Sequence, residues 1–169
     1  MMDVNIVGGG VIGLSIAYEL AQQGLSVAVF DRQQFGKEAS WAGAGMLPPA
    51  DLKSASTPGI QLRAASKTMW ADWSRLLKEE TGIDNGFLNC GGWQVALGDD
   101  LPGWQDHISE WRQSGAVVEE ADRASLTDAA PFLSQEIQAA FYLPEMCQIR
   151  NPRNLESLIR AGAQTEKLE

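Results

Sequence analysis

Three glycines near the amino terminus are spaced so that a backbone turn could hold a phosphate group. Gly8, Gly10 and Gly13 form the pattern Gly-x-Gly-x-x-Gly. In this pattern the first glycine permits a tight turn, the second lets the backbone approach a pyrophosphate, and the third lets a helix pack closely on a strand. The start of that helix, at Val11 and Ile12, would offer free N–H groups and a partial positive charge to the phosphates.

An acidic residue follows the glycines at about the distance expected of a ribose ligand. Asp31 lies 18 residues after Gly13, near the spacing of about 20 residues at which a carboxylate binds the ribose hydroxyls of a dinucleotide. Its negative charge disfavours the extra phosphate of NADP. The glycines alone are also compatible with a turn that binds no ligand, and the pattern does not separate NAD from FAD.

The segments around these residues predict a strand, a helix and a second strand. Val4–Val7 is a short apolar run, typical of a buried parallel strand. Val11–Gln23 has small and apolar residues on one face at helical spacing and ends before a glycine. Ser26–Phe30 is again apolar and ends just before Asp31. Together these segments predict one βαβ unit, with the glycines and the acid at the ends of its strands.

The rest of the chain predicts a long helix followed by short strands. An amphipathic helix is expected from Pro58 to about Thr81. Its predicted buried stripe consists of Leu62, Ala65, Met69, Trp73, Leu76 and Leu77. Strands at residues 139–143 and 147–150 are expected to pair with each other, and Pro152 is expected at the first position of a last helix.

Composition and charge exclude several classes of partner. The 169 residues carry a formal charge of −9, and residues 99–136 contain nine acids and two bases, so a nucleic-acid partner is not expected. Cys90 and Cys147 lie far apart, outside any metal-ligand or redox motif, and are expected to be buried thiols; no metal is expected. The longest uncharged run is too short to cross a bilayer and the amino terminus lacks a basic flank, so a cytoplasmic protein without a membrane partner is expected.

A run of small residues at positions 39–47 completes the pattern. Such residues would let the backbone approach an extended flat ligand, although the same composition also suits a solvent loop. This run and the preceding segment from Gly8 to Arg32 closely resemble the N-terminal half of the D-amino-acid oxidase superfamily, above all the glycine oxidases of thiamine biosynthesis. Gln148–Arg153 resembles the same family, so the resemblance covers nearly the whole chain.

The resemblance implies an FAD-dependent enzyme whose substrates are a small amino acid or amine and oxygen. A hydride would pass from the substrate α-carbon to the flavin, an imino acid would be released, and oxygen would reoxidise the flavin to give hydrogen peroxide. The implied cofactor residues are Gly8, Gly10, Val11, Ile12 and Gly13 for the pyrophosphate, Asp31 and Arg32 for the adenosine, and Ser40, Ala44, Gly45 and Met46 for the flavin side. The resemblance identifies no catalytic residue within this chain.

The fold implied by the resemblance is α/β, with a Rossmann-like FAD-binding βαβ domain and part of a mixed α+β substrate domain. We assign residues 1–85 to the FAD-binding segment, 86–143 to the partial substrate domain and 144–169 to a segment that returns to the FAD-binding domain. Members of this family are considerably longer. The arginine and tyrosine that clamp the substrate carboxylate belong to the half that this truncated chain lacks.

Two expectations concern the 169-residue chain by itself. It should lack oxidase activity and hold FAD weakly or not at all, because the substrate clamp and part of the flavin pocket are missing. It should also self-associate through an unpaired sheet edge. Two other functions stay open: a sarcosine-oxidase-like or other FAD-dependent amine dehydrogenase, and a non-catalytic nucleotide-binding or assembly module.

Overall fold

A computed structural model describes residues 1–165, apart from the side chain of Arg123. The last four residues of the predicted return segment therefore lie outside the described residues. The strands are β1 (Val4–Val7), β2 (Val27–Phe30), β3 (Met46–Leu47), β4 (Leu88–Asn89), β5 (Gly92–Ala96), β6 (Glu119–Ala121), β7 (Ala139–Leu143) and β8 (Cys147–Gln148). The helices are α1 (Val11–Gln22), α2 (Ala39–Ala42), α3 (Pro58–Thr81), α4 (Trp104–Gln113), α5 (Arg123–Ala129) and α6 (Asn151–Gln164).

The chain divides into two compact units. Unit 1 contains Met1–Gly45, Trp70–Phe87 and the residues from Ile149 onward, and unit 2 contains Met46–Met69 and Leu88–Gln148. Residues 46–69, which the sequence groups with the FAD-binding segment, thus belong to the second unit. The functional roles assigned to residues 1–85, 86–143 and 144–169 stay predictions.

Unit 1 contains the predicted βαβ arrangement. Strands β1 and β2 pair in parallel, with Val7 opposite Phe30 at their carboxyl ends. Helix α1 connects the two strands and packs on them, so that Ala17, Val27 and Val29 form a buried cluster. The α/β class and the Rossmann-like character of this unit are confirmed.

A second cluster in unit 1 packs three helices together. Leu14 and Tyr18 of α1 lie against Leu77 of α3 and against Leu155 and Leu158 of α6, and each of these side chains is at most 3% exposed. Burying a large apolar side chain contributes about 1.5–3 kcal/mol. Helix α6 is therefore part of the core that supports the start of α1.

Unit 2 is built on two antiparallel sheets, one in the order β3-β8-β4 and the other in the order β5-β7-β6. The predicted pairing of residues 139–143 with 147–150 is wrong, because β7 pairs with β5 and β6, whereas β8 pairs with β3 and β4. A turn closed by the hydrogen bond from the Met146 N–H to the Leu143 carbonyl carries the chain from one sheet to the other. Both strands thus find their partners far away in the sequence.

The long helix α3 has the predicted bounds, but its predicted buried stripe is only partly right. Leu77 is buried as predicted, but Leu62 is 74% exposed and Met69 is 56% exposed, and Ala64, which the stripe omits, is buried. The first half of α3 belongs to unit 2 and the second half to unit 1. A single stripe chosen by side-chain size cannot describe a helix whose halves pack in different surroundings.

Several smaller findings bear on the kind of site the chain can form. Cys147 is buried, but Cys90 is exposed, contrary to expectation. Among residues 1–165, no cluster of three or more His, Cys, Asp and Glu side chains is arranged to hold a metal ion. Within the same residues, no helix has the length and apolar character needed to cross a membrane.

Candidate cofactor-binding site

The turn between β1 and α1 depends on glycine at two positions. Gly8 has a φ of 113°, a conformation that favours glycine, and its N–H donates to the Phe30 carbonyl at 2.7 Å. A Cβ on Gly13 would overlap the carbonyl oxygen of Gly8. Only glycine at position 13 therefore lets α1 begin this close to the turn. The role of both residues in binding a cofactor stays a prediction.

Gly9 is restricted to glycine as well, although it occupies a variable position of the motif. A Cβ there would overlap the ring of Phe35, and the Gly9 carbonyl accepts the N–H of Gly36 at 2.8 Å. The loop after β2 thus lies directly against the glycine turn. The motif predicts neither Gly9 nor Phe35 as part of the site, and the only local signal is that three glycines are consecutive.

Asp31 follows β2 and holds the glycine turn through its carboxylate. Its Oδ2 accepts the N–H of Gly9 at 2.7 Å, and its Oδ1 accepts the N–H of Gln33 at 3.1 Å. The hydrogen bond from Gly9 is the main cause that keeps the pKa of Asp31 below its ordinary value, and the bond from Gln33 is the next. Asp31 is therefore an ionised hydrogen-bond acceptor beside the turn.

The start of α1 can receive an anion. Its N-cap residue is Gly10, which has no side chain to cap the helix. Ser40 of α2 caps it instead, because its Oγ accepts the N–H of Val11 at 3.0 Å. The N–H groups of Ile12 and Gly13 lie in the first turn, where an α-helix has no acceptor of its own. Ile12 is also 75% exposed, so this end of the helix faces open space.

The small-residue loop, residues 42–45, is fixed by the segment that leads into α6. Gly45 has a φ of 76°, and its carbonyl accepts the N–H of Ile149 at 2.8 Å. A Cβ on Gly45 would overlap the carbonyl oxygen of Ile149, and a Cβ on Gly43 would overlap the side-chain nitrogen of Asn151. Ala44, between the two glycines, is exposed. Asn151 is a residue of this region that the sequence does not single out.

Arg32 and Met46, which are also predicted cofactor residues, make contacts of other kinds. Arg32 has a largely exposed side chain whose Nη2 lies 3.4 Å from Oε1 of Glu38. Met46 belongs to unit 2, where it pairs with Gln148 in the sheet and is 64% exposed. The roles of Arg32 and Met46 beside the adenine and the flavin stay predictions.

The groups around the glycine turn fit the diphosphate and ribose of FAD. A Cβ on Gly8 would meet no atom within 4 Å, so open space lies in front of the turn. The first-turn N–H groups of α1 are donors suited to phosphate oxygens, and the carboxylate of Asp31 is an acceptor suited to ribose hydroxyls. Val7, which immediately precedes the turn, is 89% exposed and offers apolar surface beside it.

Comparison with known proteins gives close relatives over nearly the whole chain. A glycine oxidase from Geobacillus kaustophilus is 36% identical over 166 residues, which are 95% of this chain and 43% of that protein. A glycine oxidase from Pseudomonas aeruginosa is 33% identical over 98% of this chain and 44% of its own length. The bifunctional protein ThiO/ThiG from Synechocystis is 33% identical over 96% of this chain and 23% of its own length. The chain thus spans less than half the length of these relatives.

Solved structures show the same likeness. The crystal structure of glycine oxidase from Geobacillus kaustophilus matches with a TM-score of 0.88 and 32% identity, over 99% of this chain and 45% of that one. The glycine oxidase from Bacillus cereus matches with a TM-score of 0.86 and 30% identity, over 99% of this chain and 46% of that one. The family model described as FAD dependent oxidoreductase matches residues 3–167. The chain therefore belongs to the FAD dependent oxidoreductase family that includes these glycine oxidases.

Proposed function

We propose that this chain supplies the FAD-binding part of an enzyme that oxidises glycine, or another small amino acid or amine, to an imino acid with release of hydrogen peroxide. The relatives named glycine oxidase support this substrate class. Their resemblance to this chain, together with the ThiO/ThiG relative, supports a role in forming the thiazole of thiamine. A cytoplasmic location is part of the same proposal.

One observation carries the cofactor part of the proposal. The hydrogen bond of 2.7 Å from the Gly9 N–H to Asp31 Oδ2 places an ionised carboxylate directly beside the open glycine turn. The Gly9 and Gln33 N–H groups use two of the roughly four acceptor positions of this carboxylate, so the others can serve a ligand. The combination of phosphate donors with a ribose acceptor is the chemistry that a dinucleotide requires.

The glycines of the turn and Asp31 have separate tasks in this proposal. Gly8, Gly10 and Gly13 let the backbone approach the diphosphate, and the N–H groups at the start of α1 donate to it. Asp31 accepts hydrogen bonds from the ribose hydroxyls, and its charge repels the 2′-phosphate of NADP. Bound FAD supplies the acceptor for the hydride, so the protein contributes orientation and electrostatics.

The reacting end of the substrate needs groups other than the cofactor-binding residues of unit 1. A substrate carboxylate requires a cationic or hydrogen-bonding clamp, which the resemblance assigns to the part of the relatives that this chain does not cover. We therefore propose that the 169-residue chain by itself binds FAD with low affinity and does not oxidise glycine. Met46 is proposed to form part of the apolar wall beside the flavin, where it would exclude water from the reacting carbon.

Titration with FAD tests the proposal, using the quenching of flavin fluorescence as the signal. Replacing Asp31 with Ala removes a charged acceptor, so the dissociation constant should rise roughly 10- to 100-fold. Asp72→Ala is the matched control, because the side chain of Asp72 is 85% exposed on α3, where it lies 3.6 Å from Arg75 in a surface salt bridge. That variant should bind FAD as the unaltered chain does.

Three results would contradict the proposal. Equal FAD affinity of Asp31→Ala and Asp72→Ala would show that Asp31 does not contribute to the cofactor site. Tighter binding of NADP than of FAD would show that FAD is not the cofactor. Steady formation of hydrogen peroxide from glycine by the 169-residue chain would show that it already contains a substrate clamp.

A further inference from the structure

The side chain of Asn151 lies against the small-residue loop. Its Nδ2 occupies the space that a Cβ on Gly43 would need, and its Oδ1 lies 3.6 Å from the position of a Cβ on Gly45. Gly43 has an extended backbone with a φ of −63°, which any residue adopts. The close approach at position 43 therefore comes from the side chain of Asn151, which a Cβ there would displace.

Helix capping does not account for this side chain. The N-cap of α6 is Arg150, which makes no side-chain capping hydrogen bond, and Asn151 is already the first helical residue. The neighbouring polar side chain, Asn154, differs because it is buried and accepts a hydrogen bond of 3.1 Å from Asn85. The Asn151 carboxamide lies close to both glycines of the loop.

The backbone that carries Asn151 is firmly anchored within unit 1. The N–H of Arg150 donates to the carbonyl of Asn85 at 2.8 Å, and the side chain of Asn85 also donates to Ser74 at 3.0 Å. One residue earlier, the N–H of Ile149 donates to the Gly45 carbonyl. Asn151 is thus presented to the loop from a rigid support on the three-helix core.

The loop in turn is continuous with the residue that caps α1. Helix α2 ends one residue before Gly43 and contains Ser40, whose Oγ accepts the N–H of Val11. A displacement of residues 43–45 would therefore be transmitted through α2 to the cap of the helix that receives the phosphates. The contact with Asn151 opposes such a displacement.

We propose that Asn151 is a positioning residue, which holds residues 42–45 in the conformation that accepts FAD. This inference rests on the proposed function, because it assigns the loop to the cofactor site. It adds a residue that acts through the loop and through Ser40. It also explains why a polar residue stands at the start of α6 without capping that helix.

Hydrogen exchange of the 169-residue chain without cofactor tests the positioning directly. The Ile149 amide reports on the loop, because its hydrogen bond ends on Gly45. Asn151→Ala should increase exchange of this amide between about twofold and tenfold, the range for weakening one hydrogen bond. Asn151→Asp keeps the shape of the side chain and should restore slow exchange. Glu156→Ala, an exposed substitution on the same helix, is the control and should change nothing.

A double-mutant cycle on FAD affinity tests the connection to the cofactor. Gly43→Ala and Asn151→Ala disrupt the same contact, so each should raise the dissociation constant about threefold or more, and the double variant should be no worse than the poorer single variant. If the two substitutions acted only by lowering the stability of the chain, their effects on the dissociation constant would instead add in the double variant. The melting temperature of each variant is recorded beside the titration.

The outcomes separate this inference from the proposed function. If the exchange of the Ile149 amide is unchanged in Asn151→Ala, the positioning role is overturned, whether or not FAD binds. If the unaltered chain and Asn151→Ala bind FAD with equal affinity, the inference is also overturned, and the proposed function stays intact. If the unaltered chain takes up no FAD but Ile149 responds as expected, the positioning of the loop stands and the proposed weak binding of FAD by the 169-residue chain is contradicted.

Discussion

Replacing Gly13 with Ala should destabilise unit 1, although alanine is the better helix former. In a helix interior alanine is favoured over glycine by about 1 kcal/mol. At position 13, however, the new Cβ would overlap the backbone carbonyl oxygen of Gly8 and would lie 3.3 Å from Cγ2 of Ile6. A backbone oxygen cannot rotate away, so α1 itself must move.

The cost of that movement sets the expected magnitude. Inserting a methyl group into a well-packed region usually costs about 1–3 kcal/mol, and α1 is held on both sides by buried side chains such as Ala17 and Leu14. After subtraction of the gain in helix propensity, a net loss of up to about 2 kcal/mol remains. For a chain of this size the melting temperature should fall by up to roughly 8 °C.

Gly59 provides the matched control. It also lies within a helix, α3, but a Cβ there would meet no atom within 4 Å. Gly59→Ala should therefore leave stability unchanged or raise it by up to about 1 kcal/mol. The assay is thermal and urea denaturation followed by circular dichroism. If Gly13→Ala were as stable as Gly59→Ala, the close approach of α1 to the glycine turn would be refuted.

Two further predictions concern the pH dependence and the association of the chain. Asp122 caps α5 by accepting the Ser125 N–H at 2.8 Å, and the bonds to Ser125 lower its pKa. Its stabilising effect should be complete above the ordinary carboxyl pKa of about 3.8 and lost as the pH falls through the lower folded value. The stability difference between the unaltered chain and Asp122→Ala should thus disappear in acid, and a difference that grows in acid would contradict the assignment. Val7 and Phe30 are 89% and 55% exposed at the end of a parallel sheet, so the 169-residue chain should self-associate in sedimentation velocity and Phe30→Lys should weaken the association. A monomeric unaltered chain would refute this.

The elements of this fold that the sequence predicts best are those with signals at their own ends. The helix of α1 ends before Gly24, which has a φ of 87°, and α3 ends before Gly82, which has a φ of 72°. A glycine with positive φ stops a helix through its own backbone, independently of the rest of the chain. Strands β1 and β2 are equally local, since each is a short apolar run next to the glycine turn or Asp31.

Pairing between distant segments cannot be predicted in the same way. The short turn after β7 favours a hairpin with β8, yet residues from β5 and β6 occupy both sides of β7. The sequence also does not predict helix α5, because a helix of seven residues is too short to show a recognisable amphipathic pattern. In both cases tertiary contacts decide the structure.

The candidate site shows the same division between local and distant information. The spacing of Gly8, Gly13 and Asp31 can be recognised because strand, turn and helix follow one another directly. The contacts of Gly9 with Phe35 and of Gly43 with Asn151 join segments that are far apart in the sequence. These contacts determine the shape of the loops, so the motif predicts which chemistry is possible but not how the loops are held.

The carboxylate of Asp31 has a role both in the fold and in the candidate site. An ionised carboxylate offers about four acceptor positions, and the N–H groups of Gly9 and Gln33 occupy two of them. The remaining positions are available to ribose hydroxyls. Since the bond from Gly9 already fixes the carboxylate beside the turn, little conformational freedom is lost when a ligand binds there. The acid therefore orients the glycine turn before the cofactor arrives, and for that reason its removal should weaken FAD binding more than the loss of the ribose contacts alone would do.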